Sequence, residues 1–112
     1  YDPFHPGVLR VLQAIARTAN QSDKPVAICG EIAGDHLFTP LLLGFGFREL
    51  SMAPVFLPRV KLMVRSFSLA ECRSLAEQAL AMDSAQAVRK FVQEQIQVRW
   101  SRFLGTTDGA RR

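Results

Sequence analysis

The chain has 112 residues, of which 48% are hydrophobic and 21% charged, and its net charge is +4. This length suits one domain, and the composition excludes a disordered or collagen-like chain. No apolar run approaches the ~20 residues that a membrane-spanning helix needs, so no membrane partner is expected. The first residue is Tyr1, with neither a methionine nor a secretory leader before it, which suggests a piece of a longer protein.

The charged residues and the cysteines limit the possible partners. Cys29 and Cys72 lie far apart, which argues against a zinc knuckle, and free thiols are typical of the reducing cytoplasm. Several arginines lie near the C-terminus, where a phosphate-binding tail is one interpretation and a solvated basic C-terminus is the preferred one. No helix face combines many basic residues with aromatic side chains, and no nucleic-acid partner is expected.

Helix-like and strand-like segments alternate in the first half of the sequence. Pro6 suits the first turn of a helix, and the apolar residues after it recur with helical spacing. The uninterrupted apolar run at residues 26–29 predicts a short strand buried on both faces. Residues 30–35, with two glycines, are expected to form the loop that leaves this strand.

A short predicted helix and a second strand come next. The start of the helix is marked by Asp35 or by Thr39, both of which are residue types that cap helices. Gly44 and Gly46 are expected to end it. Residues 49–52 then predict a second short strand, also buried.

Three more helices are predicted in the second half. Pro58 opens the first of them. Ser68 with Glu71 has the spacing of a capping box and marks the second start. Asp83 with Gln86 has the same spacing and marks the third start.

The order of these segments predicts an α/β fold class. Strands that alternate with helices are typical of parallel βα units. Two short buried strands cannot form a covered parallel sheet, so their neighbours must come from outside this chain. The sequence is therefore expected to be the end of a larger α/β domain.

The segment at residues 29–35 is the strongest candidate for chemistry. It follows a predicted strand, and ligands of α/β sheets and (β/α)₈ barrels bind at that end of the strands. A thiol suits proton donation there, because the ordinary cysteine pKa of ~8.5 keeps it protonated near neutral pH. The alternative is that Cys29 is a small core residue. Glu31 and Asp35 are interpreted as loop and cap residues in preference to an acid–base pair.

Several motifs together resemble one enzyme family. In chain order they occupy residues 1–6, 29–35, 41–46, 49–54 and 58–61. They resemble the C-terminal end of enzyme I of the bacterial phosphoenolpyruvate-dependent phosphotransferase system, with a resemblance that extends to about residue 95. They resemble pyruvate phosphate dikinase and phosphoenolpyruvate synthase more distantly.

The resemblance implies a fragment of a larger fold. The chain would contain the last two βα units of a (β/α)₈ (TIM-type) barrel, followed by C-terminal helices. Residues 1–67 would belong to the barrel, residues 68–104 to helices that pack on it, and residues 105–112 to a tail. A complete barrel of this type needs about 250 residues.

The resemblance also implies a reaction. Members of that family bind phosphoenolpyruvate and Mg²⁺ and transfer the phosphoryl group to a histidine on a separate domain. A cysteine protonates the enolpyruvate product, and Cys29 occupies the matching position. Gly30 would lie beside the substrate as a position of close approach.

Much of the family's machinery does not match any part of this sequence. The substrate-binding arginines, the Mg²⁺ ligands and the phosphorylated histidine all lie upstream of the segment that matches Tyr1. Neither His5 nor His36 matches that histidine, and both are interpreted as surface or cap residues. No metal site is expected in the chain, and the isolated chain is expected neither to bind phosphoenolpyruvate tightly nor to turn it over.

The partners implied by the resemblance are the phosphocarrier protein of the system and a second copy of the chain in a homodimer. The implied location is the cytoplasm. The alternative function is a non-catalytic interaction module that pairs helices through residues 68–104, with Phe91, Trp100 and Phe103 as anchors. The competing interpretation is that these aromatic residues pack against the rest of the barrel.

Overall fold

A computed structural model describes residues 2–111, with side chains described as far as Arg102. In chain order, the elements are α1 (Pro6–Gln21), β1 (Ala27–Cys29), α2 (Glu31–Gly34), α3 (Thr39–Phe45), β2 (Glu49–Ser51), a 3₁₀ turn (Pro54–Phe56), α4 (Leu57–Ser66), α5 (Leu69–Leu80) and α6 (Ala85–Arg111). Both predicted strands and the predicted helices are present. None of the helices in the described range is both long and apolar enough to cross a membrane.

The two strands form a small parallel sheet. Cys29 of β1 pairs with Ser51 of β2, so the strands end level with each other. Both strands were predicted to be buried with the help of neighbours from outside this chain; within the chain, the end residues of each strand are exposed and the middle residues Ile28 and Leu50 are half-buried. Among the described elements α2 contacts both strands, and no third strand pairs with either edge.

The core lies mainly between the helices, and the middle residues of the two strands, Ile28 and Leu50, pack against it. Helices α3 and α5 pack most closely, and α1, α4 and α6 surround that pair. The largest fully buried side chains include Phe4, Phe38, Phe47, Leu41 and Leu42. Burial of a side chain of this size contributes about 1.5–3 kcal/mol, so this cluster, which combines residues of the helices with Phe4, Phe38 and Phe47 of the segments outside them, is a main source of stability.

The start of α5 has the predicted capping box. Ser68 Oγ accepts a hydrogen bond from the backbone N–H of Glu71 at 3.1 Å, and Glu71 Oε1 accepts from the N–H of Ser68 at 2.9 Å. The predicted box at the start of α6 is wrong. Ser84 caps that helix through a 3.1 Å bond from the N–H of Ala87, because α6 begins one residue later than expected.

The short helix and the loops differ from the prediction in detail. Residues 31–34 form the short helix α2 where a loop was expected, since four residues are too few to show a helical period. Gly46 ends α3 in the left-handed conformation, with φ 113°, while Gly44 lies inside the helix. Asp35 does not start α3, because its Oδ1 accepts from the N–H of Leu37. Thr39 is the first residue of α3 and not its cap.

The C-terminal segment continues a helix. α6 runs from Ala85 to Arg111, so it includes residues 105–111 of the predicted tail, while Arg112 lies outside the described residues. Arg99 of α6 forms an ion pair with Glu71 of α5 and lies 4.9 Å from the centre of the Phe67 ring. These contacts attach the middle of α6 to the beginning of α5.

Loss of the capping box should measurably weaken the fold. We expect Ser68→Ala to lower the free energy of unfolding by about 1 kcal/mol, because the backbone N–H of Glu71 loses its acceptor, Ser68 Oγ. The measurement is urea denaturation followed by far-UV circular dichroism. Ser101→Ala is the matched control, since Ser101 is an exposed helical serine. Equal midpoints for the two variants would contradict the prediction.

Candidate active site

Cys29 lies at the carboxyl edge of the sheet. It is the last residue of β1 and its thiol is exposed. The register places Ser51 directly beside it, as the last residue of β2. Neighbouring strands are about 4.8 Å apart, so these two side-chain positions share one small surface. The interpretation of Cys29 as a core residue is wrong for this chain.

Gly30 turns the backbone immediately after Cys29. Its φ of 86° and ψ of −153° lie in a region that side chains with a Cβ rarely adopt. A Cβ placed on Gly30 would have no neighbouring atom within 4 Å. Glycine is therefore needed here for the backbone conformation, and the space beside it is open to a ligand.

An open groove of about 730 Å³ lies over this edge of the sheet. One wall is apolar, because the Phe56 ring packs against Gly34 of α2 so closely that a Cβ on Gly34 would lie 2.9 Å from it. The residues that line the groove are Cys29, Gly30, Glu31, Gly34, Asp35, His36, Ser51, Met52, Ala53, Phe56 and Arg59. A groove of this size can hold a small metabolite.

The polar groups of the groove come from both βα connections. Glu31 is the exposed first residue of α2, while the carboxylate of Asp35 accepts a hydrogen bond from the N–H of Leu37. Arg59 extends into the groove from the first turn of α4. Sequence reasoning placed Cys29 and Gly30 at this site but missed Ser51 and Arg59. The available signal was the end of the second predicted strand, which parallel pairing places beside the first.

The two histidines have different surroundings. His5 Nδ1 accepts a 3.0 Å hydrogen bond from the N–H of Gly7 and caps α1, as expected. His36 lies in the groove, half-buried, with its ring stacked on Trp100 at 6.2 Å between centres. This contact packs Trp100 of α6 against a residue that lines the groove. His36 was interpreted as a surface or cap residue, whereas the structure shows it half-buried against Trp100.

The proposed anchors of an interaction module are partly used within the chain. Phe91 and Trp100 are half-buried and pack against the core of the same chain. Phe103 lies outside the residues whose side chains are described. Arg99 of the basic C-terminal region is paired with Glu71. These contacts weaken the interpretation of residues 68–104 as a free pairing surface and that of a free basic tail.

The groove does not fit a metal ion through this chain's own residues. Within the described range, no group of three or more His, Cys, Asp or Glu side chains is close enough to hold one. Glu31 and Asp35 line the same groove, but Asp35 already accepts a backbone hydrogen bond. Mg²⁺ prefers several oxygen ligands in octahedral geometry, which these two carboxylates alone do not provide.

The second cysteine has a structural position. Cys72 is fully buried between α5 and α3, and burial raises the pKa of its thiol, with a smaller opposing effect from the charge of Arg48. A raised pKa and an inaccessible sulfur both make a thiol unreactive.

The two thiols should therefore react at very different rates. We expect Ellman's reagent to modify Cys29 at once and Cys72 at least roughly 100-fold more slowly, because Cys72 reacts only after local opening. Cys29→Ala should remove the fast phase, and Cys72→Ala the slow one. Two fast phases of equal rate would show that the helical core is open.

Comparisons with known proteins agree on one family. The family described as "PEP-utilising enzyme, PEP-binding domain" matches residues 1–69. The chain is 47% identical over 88 residues to multiphosphoryl transfer protein 1 of Escherichia coli K12, a match that covers 79% of this chain and 11% of that protein.

Proteins named phosphoenolpyruvate-protein phosphotransferase are also similar. The match is 36% identical over 93 residues in Mycoplasma genitalium, covering 83% of this chain and 16% of that protein. In Haemophilus influenzae the match is 34% identical over 94 residues, covering 84% of this chain and 16% of that protein. The chain thus spans between 11 and 16% of the length of these relatives. The matched residues 1–69 contain both strands, Cys29 and the other residues that line the groove. The chain therefore belongs to the family of PEP-utilising enzymes and matches their PEP-binding domain.

Proposed function

We propose that this chain is part of a phosphoenolpyruvate–protein phosphotransferase and supplies the acid that protonates the enolpyruvate product. The observation that carries the proposal is the exposed thiol of Cys29 at the carboxyl edge of a parallel sheet, facing an open groove. Relatives up to 47% identical carry phosphoryl-transfer names, which supports the reaction class.

The proposed context of the site is a (β/α)₈ barrel. The two parallel strands, each followed by a helical segment, would be its last two βα units, and the outer edges of β1 and β2 would pair with further strands. The exposed ends of both strands support this idea, because parallel sheets are normally covered on both faces. Active sites of such barrels lie at the carboxyl ends of the strands, where Cys29 and Ser51 are.

The chemical step conserves atoms and charge. The P–O bond of phosphoenolpyruvate breaks as a P–N bond forms to a histidine of another domain, which leaves enolpyruvate as its enolate. The electron pair of the enolate then takes the S–H proton of Cys29 at the methylene carbon and gives pyruvate. The resulting thiolate regains a proton from water. Gly30 has no Cβ, and the position that a Cβ would take has no neighbouring atom within 4 Å, so that the substrate can lie close to the thiol.

The remaining components are proposed to lie outside this chain. They are the phosphorylated histidine, a cage of substrate-binding arginines and the ligands of Mg²⁺, which would supply charge neutralisation on the phosphoryl group. The proposed partners are a phosphocarrier protein and a second copy in a homodimer, which unpaired strand edges would favour. The proposed location is the cytoplasm. The isolated chain should show no turnover.

The test uses a chimera, because the chain covers only part of its relatives. This chain replaces the aligned segment of the E. coli multiphosphoryl transfer protein 1, and pyruvate formation from phosphoenolpyruvate is followed in deuterated water. We expect turnover with one deuterium in the pyruvate methyl group, and no turnover by the 112-residue chain alone. A correctly folded chimera that forms no pyruvate would overturn the proposal.

A further inference from the structure

We propose that Arg59 is a substrate-binding residue that contacts an anionic group of the three-carbon acid while Cys29 faces its methylene carbon. The inference rests on the proposed function. Arg59 and Cys29 line the same groove, although they lie on different βα connections. The groove therefore has a thiol at one strand end and a guanidinium on the following helix.

The charge of Arg59 is not neutralised by its neighbours. Its side chain is exposed and forms no ion pair with any residue whose side chain the structure describes. The first turn of α4 carries no acidic residue. By contrast, Arg48 donates to the carbonyls of Leu43 and Phe47, and Arg89 pairs with Asp2. Arg59 is thus available to a ligand in a way that these arginines are not.

The two carboxylates of the groove do not pair with Arg59. Asp35 is held by the N–H of Leu37, and neither it nor Glu31 is within ion-pair distance of Arg59. An anion that enters the groove would meet an unpaired guanidinium beside the apolar wall formed by Phe56. A planar guanidinium can bind two oxygens of a carboxylate or a phosphate at once.

The chemistry of the substrate fits this arrangement. Phosphoenolpyruvate carries a carboxylate and a phosphate on the carbon next to the methylene group that receives the proton. A cation in the same groove as Cys29 would fix the orientation of that carbon and distinguish the acid from uncharged enols. Carboxylate and phosphate share the required chemistry, and the experiment separates them.

The kinetic test uses the chimera described above. We expect Arg59→Ala to raise the KM for phosphoenolpyruvate roughly 10- to 100-fold, as loss of a charged hydrogen-bond partner does. The KM of Arg59→Lys should lie between those of the parent and of Arg59→Ala, because lysine keeps the positive charge but cannot bind two oxygens at once as the planar guanidinium does. Arg65→Ala is the matched control, since Arg65 is exposed on the same helix but does not line the groove. An unchanged KM for Arg59→Ala would overturn the inference.

The binding test needs no turnover. The side-chain N–H signals of Arg59 and Arg65 are followed by NMR in this chain as oxalate or inorganic phosphate is added to millimolar concentration. A shift at Arg59 alone supports the inference, and the stronger of the two anions identifies the group that it binds. No shift with either anion overturns it. If the chimera is inactive but Arg59 responds, the proposed function fails while the anion site stands.

Discussion

Replacing Cys29 with alanine in the active chimera is expected to lower pyruvate formation by roughly 10²–10⁴-fold, the usual contribution of a general acid. The thiol is exposed at the end of β1, so its removal disturbs no packing. Cys29→Ser should be nearly as inactive, because a hydroxyl keeps the shape but is a far weaker acid. The measurements are the rate of pyruvate release and the deuterium content of its methyl group.

The matched control for this substitution is the second cysteine. Cys72→Ala removes a buried thiol from the helical core, so it should lower stability slightly and leave pyruvate formation unchanged. If Cys29→Ala released deuterated pyruvate at the parental rate, another group would be the acid. The Arg59 inference would survive that result, because its readout is the KM for phosphoenolpyruvate.

Gly44→Ala is expected to lower the free energy of unfolding by about 2–3 kcal/mol, which is a large part of the stability of a small domain. A Cβ on Gly44 would lie 2.2 Å from the carbonyl oxygen of Cys72 and 2.8 Å from the Cβ of Ala76. The first of these atoms belongs to the backbone of α5, so α3 and α5 would have to separate. The gain in helix propensity of about 1 kcal/mol does not offset this.

Gly7→Ala is the matched control for Gly44→Ala. Gly7 is also helical, but its Cβ would meet only the exposed imidazole of His5, at 3.1 Å. We expect a change of about 1 kcal/mol or less, because displacement of the exposed imidazole costs at most its cap on α1, which the higher helix propensity of alanine offsets. Both variants are compared by urea denaturation at neutral pH. Equal midpoints for Gly44→Ala and the parent would show that α3 and α5 are not in close contact.

Local sequence signals predicted most of the elements. Three signals predicted their elements correctly: the helical period after Pro6, the apolar run that ends at Cys29 and the Ser68–Glu71 capping box. Each depends only on residues close together in the chain, so no knowledge of the rest of the fold was needed. The Asp83–Gln86 box failed because two residues in succession, Asp83 and Ser84, are both able to cap a helix. Which of them does so depends on where α6 packs.

The two glycines at the end of α3 show what neighbouring residues in the sequence cannot predict. Gly44 and Gly46 look alike in sequence, yet Gly46 ends α3 through a positive φ, and Gly44 allows α5 to approach. A helix end is a local backbone property, whereas close approach depends on a partner far along the chain. The same reason explains why α3 and α5 were not predicted to form the centre of the core.

The candidate site divides in the same way. The sequence specified Cys29 and Gly30 at the end of a strand, because a strand, a turn residue and a thiol are consecutive in the chain. It did not specify Ser51 and Arg59 as their neighbours. Those residues reach the groove through the register of β1 with β2 and the direction of α4, which are set by the packing of distant segments.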